Sequence, residues 1–213
     1  MGSIPTREEM LDALKQRHGA RLQEKLGSTS VAVCGLGGLG SNIAVALARA
    51  GIGTLYLLDF DRVELSNLNR QQYTVAQLGM DKTQALSQTL GSIAPYCSVI
   101  THTRRITADN FAELLGGADI ICEAFDGAED KAMLANGVLE QFPEKFLVCG
   151  SGMAGLASSN TIKTKKITEH FYICGDFVSD IADGLGLVSA RVMLCAAHQA
   201  NMVLRIVAGE LEA

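Results

Sequence analysis

The sequence has few of the residues that build aromatic-rich or disulfide-bonded folds. Its 213 residues include no Trp, 5% aromatics and 3 Pro, against 22 Gly. This balance suits an α/β protein with tight strand-to-helix turns better than a β-sandwich. The six cysteines form no C-x-x-C pair, and several lie inside apolar runs, where free Cys behaves as a small buried hydrophobe. We therefore expect a reduced, cytoplasmic protein with neither a disulfide framework nor a Cys-rich zinc site.

Long apolar runs and a strong charge of one sign are also missing. No apolar run reaches about 18 residues, the minimum for a transmembrane helix, and the polar N-terminus is unlike a signal peptide. The 18 Lys and Arg against 23 Asp and Glu give a formal charge of −5. This acidic balance argues weakly against nucleic acid or a membrane surface as the main partner. At roughly 100–200 residues per domain we expect a single domain over residues 1–213.

Helical and extended patterns alternate along the first 150 residues. Apolar spacing predicts an N-terminal helix over about 6–26, followed by an alternating core over about 29–150. The predicted strands of this core are 31–34, 54–59, 98–103, 119–123 and 145–149, and the predicted helices are 39–50, 81–93, 108–115 and 130–141. The alternation indicates an α/β fold with a Rossmann-like, mostly parallel sheet and helices on both faces.

The pattern changes in a C-terminal extension over about 151–213. Residues 157–165 and 169–173 are predicted as short, more polar strands that extend the sheet in an antiparallel manner. Residues 187–207 are predicted as a long apolar helix packed on the domain, in which His198 is expected to be a hydrogen-bonded core residue.

A glycine-rich loop joins the first predicted strand to the next helix. Residues 35–40 (GLGGLG) match G-x-G-x-x-G, and Asp59 ends the following strand. The pattern predicts a tight turn at Gly35, close approach of phosphate at Gly37 and Gly38, and close helix–strand packing at Gly40. Asp59 would accept hydrogen bonds from ribose hydroxyls. The loop fits both NAD and ATP, and a merely structural turn is the alternative.

Two cations near this loop favour ATP over NAD. Arg70 lies in the polar loop after the second strand, and Lys82 lies just inside the next predicted helix. An enzyme that splits ATP must neutralise a triphosphate and its developing charge, whereas a dehydrogenase needs no such extra cations. Each of the two could separately be a solvated surface charge, but their combination with the glycine loop favours ATP.

Several motifs together resemble one family. They are GLGGLGS, LLDFDRVELSNLNRQ, the Gly79-x-x-Lys82 turn, and Phe125-Asp126-Gly127 after DIICEA. They resemble the ubiquitin-activating-enzyme-like adenylyltransferases (ThiF/MoeB/HesA), which activate ubiquitin-like sulfur-carrier proteins. The resemblance extends from about residue 20 to the end, and the S-N-L-x-R-Q block is far more specific than the glycine loop.

The resemblance implies a set of site residues. Asn67, Arg70 and Lys82 would bind the nucleotide phosphates, and Asp126 would contact a bridging Mg²⁺. Mg²⁺ prefers one or two carboxylates with phosphate oxygens, although Asp126 could instead cap a helix. The implied ATP-binding residues are Gly35, Gly37, Gly38, Gly40, Asp59, Asp61, Ser66, Asn67, Asn69, Arg70, Gln71, Lys82, Asp126 and Gly127. The implied catalytic residues are Arg70, Lys82, Asp126 and Arg17, with Asp126 as the metal ligand.

The resemblance also implies the reaction and the partners. The C-terminal carboxylate of a carrier ending in Gly-Gly would attack the α-phosphorus of ATP, which leaves an acyl-adenylate and releases pyrophosphate. Because the carboxylate is already nucleophilic, positioning and charge stabilisation must provide the catalysis. In the family an arginine of the N-terminal helix reaches the partner's nucleotide within a homodimer. Arg17 is the first candidate here and Arg21 the second.

The cysteines depart from the family pattern. Many members bind a structural zinc through two C-x-x-C pairs, but Phe171 stands at the first Cys position and no later pair exists. We therefore expect no zinc. Cys174 is the only thiol near segment 175–186, where other members place a catalytic cysteine. If Cys174 takes no part, a separate sulfurtransferase must complete sulfur transfer. These features match a compact ThiF-like subgroup, which implies a ThiS-like carrier and thiamine thiazole biosynthesis.

Other functions also fit parts of these motifs. Within the family the substrate could be a molybdopterin- or cysteine-pathway carrier, a small molecule or a tRNA, although the acidic charge disfavours tRNA. The chain could also be the inactive half of a heterodimeric activating enzyme. An NAD(P)-dependent oxidoreductase would use the same glycine loop, but it would leave Arg70, Lys82 and Asp126 unexplained.

Overall fold

Short apolar runs form the central strands of a seven-stranded sheet in the computed structural model, which describes residues 4–213. Within this range the strand order is β3-β2-β1-β4-β5-β7-β6, and every neighbouring pair is parallel except β6–β7. The strands are β1 Ser30–Cys34, β2 Thr54–Leu58, β3 Ser98–His102, β4 Ile120–Glu123, β5 Phe146–Gly150, β6 Lys163–Lys166 and β7 Phe171–Gly175. The predicted Rossmann-like, mostly parallel sheet is confirmed.

Helices cover both faces of the sheet. They are α1 Arg7–His18, α2 Ala20–Ser28, α3 Gly38–Ala50, α4 Lys82–Ile93, α5 Phe111–Leu115, α6 Ala128–Gln141 and α7 Ser189–Ala208. Side chains of β1 alternate between the faces: Val31 and Val33 pack with α3, α4 and α7, whereas Ala32 and Cys34 pack with α5 and α6. Among the described residues, no helix combines the length and the apolar character needed to cross a membrane.

The N-terminal helix differs from the prediction. Instead of one helix over 6–26, α1 and α2 are separated at Gly19, whose φ is 90°. Thr6 and Glu9 form a reciprocal capping box at the start of α1, and the amide of Gly19 donates to the Lys15 carbonyl at its end. The prediction missed the break because apolar spacing alone does not register a single glycine with positive φ.

The C-terminal extension is also only partly as predicted. The expected strand over 157–165 is shortened to β6, because Ser158 accepts a hydrogen bond from the Asn160 amide and starts a 3₁₀ turn. The antiparallel prediction holds for β6 only. Strand β7 is parallel to β5, with Leu147 opposite Phe171.

Arg191 in the first turn of α7 connects the segment after β5 to the segment after β7. Its Nη2 lies 2.5 Å from Asp176 Oδ2, and both side chains are buried. The Asp176 Oδ1 atom accepts hydrogen bonds from the amides of Val178 and Ser179. The other acceptors of the Arg191 guanidinium are the carbonyls of Ala154, Ala157 and Ser158 and the hydroxyl of Thr161. Full pairing of this kind is what makes a buried guanidinium tolerable.

Gly137 in α6 allows the helix to contact the buried ring of Phe111. A Cβ at Gly137 would lie 1.6 Å from Phe111 Cε2. We expect Gly137→Ala to lower the free energy of unfolding by about 1–3 kcal/mol, measured by urea denaturation, because the ring must move. Gly91→Ala in α4 is the control. A Cβ there would meet nothing within 4 Å, so this change should stabilise the protein by about 0.5–1 kcal/mol. A Gly137→Ala protein as stable as the wild type would contradict the packing.

Asp176 should make the stability depend on pH in the acid range. Burial raises the pKa of Asp176, but hydrogen bonds from Ser179, Val178 and Arg191 outweigh it and lower the pKa from 3.8 to about 2. Because the folded state binds this proton less readily, the carboxylate stabilises the fold above about pH 4. The contribution is lost as the pH falls through about 2.

We expect Asp176→Asn to destabilise the protein at neutral pH by on the order of 3 kcal/mol, because Arg191 loses its counter-ion. The decline in stability between about pH 4 and about pH 2 should become shallower, as measured by chemical denaturation across this range. Asp12→Asn, which removes an exposed carboxylate paired with Lys15, should leave the profile unchanged. An unaltered decline in the Asp176 variant would show that this carboxyl is not its source.

Candidate functional site

A cavity of about 540 Å³ opens at the carboxyl ends of β1, β2, β4 and β5. Its walls include residues 35, 37–39, 58–61, 124–126 and 150–154, which end or follow these four strands. The strand order changes direction between β1 and β4, and open α/β sheets bind their ligands at this kind of switch point. The cavity is therefore the candidate functional site.

Most of the predicted site residues line this cavity. Those in its wall are Gly35, Gly37, Gly38, Asp59, Asp61, Asn67, Arg70, Gln71, Lys82 and Asp126. Gly40, Ser66, Asn69 and Gly127 lie outside the lining but next to residues of that set. Arg17 is exposed on α1 and is not part of the lining.

The glycine loop has the backbone geometry that its sequence predicts. Gly35 has a φ of 88°, and a Cβ there would lie 2.9 Å from the Ala124 carbonyl oxygen. A Cβ at Gly40 would lie 1.8 Å from the Gly35 oxygen, so α3 packs directly on the loop. Gly37 precedes α3 without any side-chain cap. The positive end of the α3 dipole therefore lies at the cavity wall, where it favours an anion.

Asp59 links the glycine loop to the end of β2. Its Oδ2 atom accepts a hydrogen bond of 2.6 Å from the Leu36 amide, and its Oδ1 atom accepts one of 2.8 Å from the Asp61 amide. The Tyr73 hydroxyl donates to the Leu36 carbonyl on the other side of the loop. Burial, and then Asp59 and Asp61, raise the pKa of Tyr73, which keeps this hydroxyl a neutral donor. Because each carboxylate oxygen can accept a second bond, Asp59 can still accept from a ligand.

Lys82 is buried in the cavity wall between two carboxylates. Its Nζ atom lies 2.8 Å from Asp61 Oδ2 and 3.9 Å from Asp59 Oδ2. Asp61, predicted as an ATP-binding residue, is thus the counter-ion of Lys82 in this structure. A phosphate entering the cavity would compete with Asp61 for this ammonium group.

Arg70 carries a buried donor without an acceptor. Its Nη1 atom donates to the Ser66 carbonyl and to Asn69 Oδ1, but within residues 4–213 its Nε atom has no partner, and neither has Gln71 Oε1. Such an unpaired buried group costs about 1–3 kcal/mol, which an acceptor on a ligand can recover. The Asn42 side chain donates to the carbonyls of Gly38 and Arg70, so the arginine loop is attached to the start of α3.

Asp126 is exposed at the turn between β4 and α6. Gly127, not Asp126, is the N-cap of α6, and no side chain bonds there, so the alternative capping role does not occur. No other side chain of the described chain pairs with the Asp126 carboxylate. In the same residues no group of three or more His, Cys, Asp or Glu side chains could hold a metal ion. A Mg²⁺ at Asp126 would therefore complete its coordination with phosphate oxygens and water, as this ion does in nucleotide sites.

The rim contains residues that the sequence reasoning missed. The Arg105 guanidinium lies 5.4 Å from the centre of the Phe60 ring and donates to Asp130, which joins the loops after β2 and β3 to α6. Arg104 also lines the cavity and pairs with Glu113. Two adjacent arginines directly after a predicted strand were a signal that could have identified this edge.

Cys174 lies away from the cavity. It is fully buried on β7, and burial raises its pKa to about 11. Its Sγ atom lies 3.5 Å from Thr164 Oγ1, which in turn bonds His198 Nδ1 at 3.1 Å. A protonated, enclosed thiol outside the cavity lining has no access to a substrate held there. His198, partly buried on α7, is hydrogen-bonded as expected.

Sequence comparison relates the chain to activating enzymes. The model of the ThiF family matches residues 11–212. The "Adenylyltransferase and sulfurtransferase MOCS3" of Drosophila virilis is 31% identical over 199 residues, or 90% of this chain and 43% of that protein. The "Ubiquitin-like modifier-activating enzyme 5" of Drosophila ananassae is 42% identical over 106 residues, or 49% of this chain and 27% of that protein. The chain spans less than half the length of these curated relatives.

Solved structures share the fold. The E. coli tRNA N6-threonylcarbamoyladenosine dehydratase TcdA, in complex with ATP, has a TM-score of 0.85 at 20% identity, covering 98% of both chains. E. coli MccB with MccA-N7isoASN has a TM-score of 0.70 at 22% identity, covering 98% of this chain and 66% of that one. These likenesses concern the fold alone. The family match over residues 11–212 confirms what the motifs indicate, and the chain belongs to the ThiF family.

Proposed function

We propose that this chain is an ATP-dependent adenylyltransferase that activates the C-terminal carboxylate of a ubiquitin-like carrier protein. The observation that carries the proposal is the convergence of three positive groups on one cavity. They are the start of α3, the unpaired Nε of Arg70 and the buried ammonium of Lys82. A triphosphate supplies the negative charge that such a site selects.

Each residue of the cavity would bind the part of the nucleotide that lies next to it. Gly37 and Gly38 let the phosphates approach the start of α3, while Asp59 accepts hydrogen bonds from the ribose. Arg70 and Lys82 bind the phosphates, and Lys82 exchanges Asp61 for a phosphate oxygen. Asp126 would hold a Mg²⁺ ion, which when bound neutralises phosphate charge. Asn67 and Gln71, which line the same wall, complete the phosphate contacts.

The chemical step is one displacement at phosphorus. A carboxylate oxygen of the carrier forms a bond to the α-phosphorus, and the bond from this phosphorus to the bridging oxygen breaks. Pyrophosphate leaves with the electron pair. Because the attacking group is already an anion, no residue has to remove a proton, and catalysis comes from alignment and from stabilisation of charge on the phosphates.

The partner we propose is a ThiS-like sulfur carrier ending in Gly-Gly, in thiamine thiazole synthesis. The MOCS3 and modifier-activating relatives support a carrier protein in general, and the lack of C-x-x-C pairs supports the compact subgroup, which needs no zinc. Because Cys174 is buried away from the cavity, we expect a separate sulfurtransferase to follow. The free cysteines suit a reducing cytoplasm.

We also propose that the enzyme is a homodimer. Arg17 lies on exposed α1, outside the cavity of its own chain, so it would contribute to catalysis only at the nucleotide of a second copy. Arg21 on α2 is the second candidate for this role.

The contribution of the Arg70 and Lys82 charges to catalysis can be tested by ATP–pyrophosphate exchange in the presence of the carrier. Arg70→Ala and Lys82→Ala should each lower the exchange rate roughly 10²–10³-fold, because each removes a donor that stabilises phosphate charge. Lys15→Ala is the matched control, since it removes an exposed lysine paired with Asp12 and should not change the rate. Undiminished exchange in both site variants would refute the proposed function.

Exchange that depends on tRNA instead of the carrier would assign the substrate differently, and tight NADH binding without ATP binding would favour an oxidoreductase.

A substitution at Gly37 can test nucleotide binding without disturbing the packing of the protein. A Cβ at Gly37 would meet only Gln71 Nε2, at 3.8 Å, among protein atoms within 4 Å. We expect Gly37→Ala to leave the melting temperature unchanged but to weaken ATP binding roughly 10–100-fold, because the methyl group displaces the phosphates. Calorimetric titration measures the affinity, with Gly91→Ala as the control of equal size in α4. Unchanged ATP affinity would exclude close phosphate approach at this glycine.

A further inference from the structure

An ion pair between a buried carboxylate and a partly buried lysine lies beneath the turn that carries Asp126. Glu123 is the last residue of β4, with a side chain that is 1% exposed, and Lys131 follows one turn into α6. Lys131 Nζ lies 3.0 Å from Glu123 Oε1 and 2.9 Å from Oε2. Neither residue is needed for the steps described above, although Lys131 lines the cavity.

The pair binds both backbone polar groups of Phe125, the residue immediately before Asp126. The Phe125 amide donates to Glu123 Oε1 at 2.7 Å, and Lys131 Nζ donates to the Phe125 carbonyl at 3.0 Å. This carbonyl belongs to the planar peptide that joins Phe125 to Asp126. On the other side of Asp126, the Lys131 amide donates to the Gly127 carbonyl at 3.0 Å. The Lys131 side chain therefore holds the chain before Asp126, whereas the bond after Asp126 is a main-chain bond of the first turn of α6.

The backbone is what can orient Asp126. Its carboxylate is exposed, and no other side chain within residues 4–213 pairs with it. An ion pair of this kind adds little net stability, since apolar residues of similar volume often serve as well. Its hydrogen bonds to the Phe125 backbone instead fix the geometry of the chain next to Asp126.

We infer that Lys131, paired with Glu123, is a positioning residue that fixes the Asp126 turn for binding of the Mg²⁺–nucleotide complex. The inference rests on the proposed function, because it assumes that Asp126 contacts the metal. Residues outside the first coordination shell, when mutated, typically cost about 10–100-fold in metal affinity. The pair should thus act on the magnesium-dependent part of nucleotide binding and not on the remainder.

The variants must not leave a buried charge unpaired. Lys131→Met alone would do so, and the chain could then fail to fold. The double variant Glu123→Gln/Lys131→Met removes both charges and keeps an oxygen that can accept from the Phe125 amide. Lys131→Arg preserves the cation and its donors. Lys145→Met is the matched control, because the Lys145 ammonium also donates to backbone carbonyls, those of Leu115, Gly116 and Ala118, but it lies outside the cavity lining.

The readout is the affinity for a non-hydrolysable ATP analogue, measured by calorimetric titration in EDTA and in Mg²⁺. The magnesium gain is the ratio of the two dissociation constants. In the double variant we expect the gain to fall about 10-fold or more, while the affinity in EDTA stays within about twofold. Asp126→Asn should lower the gain similarly, and adding it to the double variant should lower the gain no further. Lys131→Arg should restore most of the gain, and Lys145→Met should retain it.

The outcomes separate this inference from the proposed function. A folded double variant with the full magnesium gain would overturn the positioning role and leave the adenylyltransferase proposal intact. An equal loss of affinity in EDTA and in Mg²⁺ would overturn it too, since it would indicate a general structural role. If the wild-type chain does not bind the analogue, both proposals fail. If it binds with no magnesium gain, or if Asp126→Asn keeps the gain, the metal role of Asp126 and this inference fail together.

Discussion

The contact between α3 and the end of β1 is the constraint on which the rest of the site depends. The Gly35 oxygen occupies the space where a Cβ of Gly40 would be, and the positive φ of Gly35 turns the chain sharply enough to bring the two together. This contact directs the start of α3 to the carboxyl end of the sheet. The positive end of the α3 dipole therefore lies at the switch point between β1 and β4, and the loops after the other strands surround it.

Ion pairs enclose this position and give its walls a defined shape. Lys82 pairs with Asp61, Lys131 with Glu123, and Arg191 with Asp176, and each pair has at least one partner that is largely buried. Pairs of this kind gain little stability, because the cost of removing charges from water offsets their attraction. Their effect is geometric. Asp61 and Asp59 hold the Lys82 ammonium group beside the glycine loop. Lys131 and Glu123 fix the Asp126 turn. Arg191 connects the segments that follow β5 and β7.

The cavity and the structure that supports it thus contain two kinds of charged group. One kind is fully paired within the protein and maintains shape, as Arg191 does with its five acceptors. The other kind has no partner within the described residues, as with the Nε atom of Arg70 and the carboxylate of Asp126. A ligand with several anionic oxygens would supply an acceptor for Arg70 Nε, and a divalent cation bound to it would pair with the Asp126 carboxylate. A nucleoside triphosphate therefore fits this arrangement better than a dinucleotide with fewer charges.

The alternating strands and helices, the glycine turn and ten of the residues that border the cavity are readable from the sequence alone. These features are local: strand and helix periodicity, the need for glycine at positive φ, and a polar block directly after a strand are all encoded within a few residues. The break at Gly19 and the shortened β6 escaped prediction because single-residue backbone geometry and side-chain capping overrode the apolar pattern. Which charges meet depends on the tertiary structure. Asp61 proved to be the counter-ion of Lys82, and Arg191 and Glu123 acquired their roles, because partners far apart in sequence are brought together by strand order and helix packing, which no local pattern records.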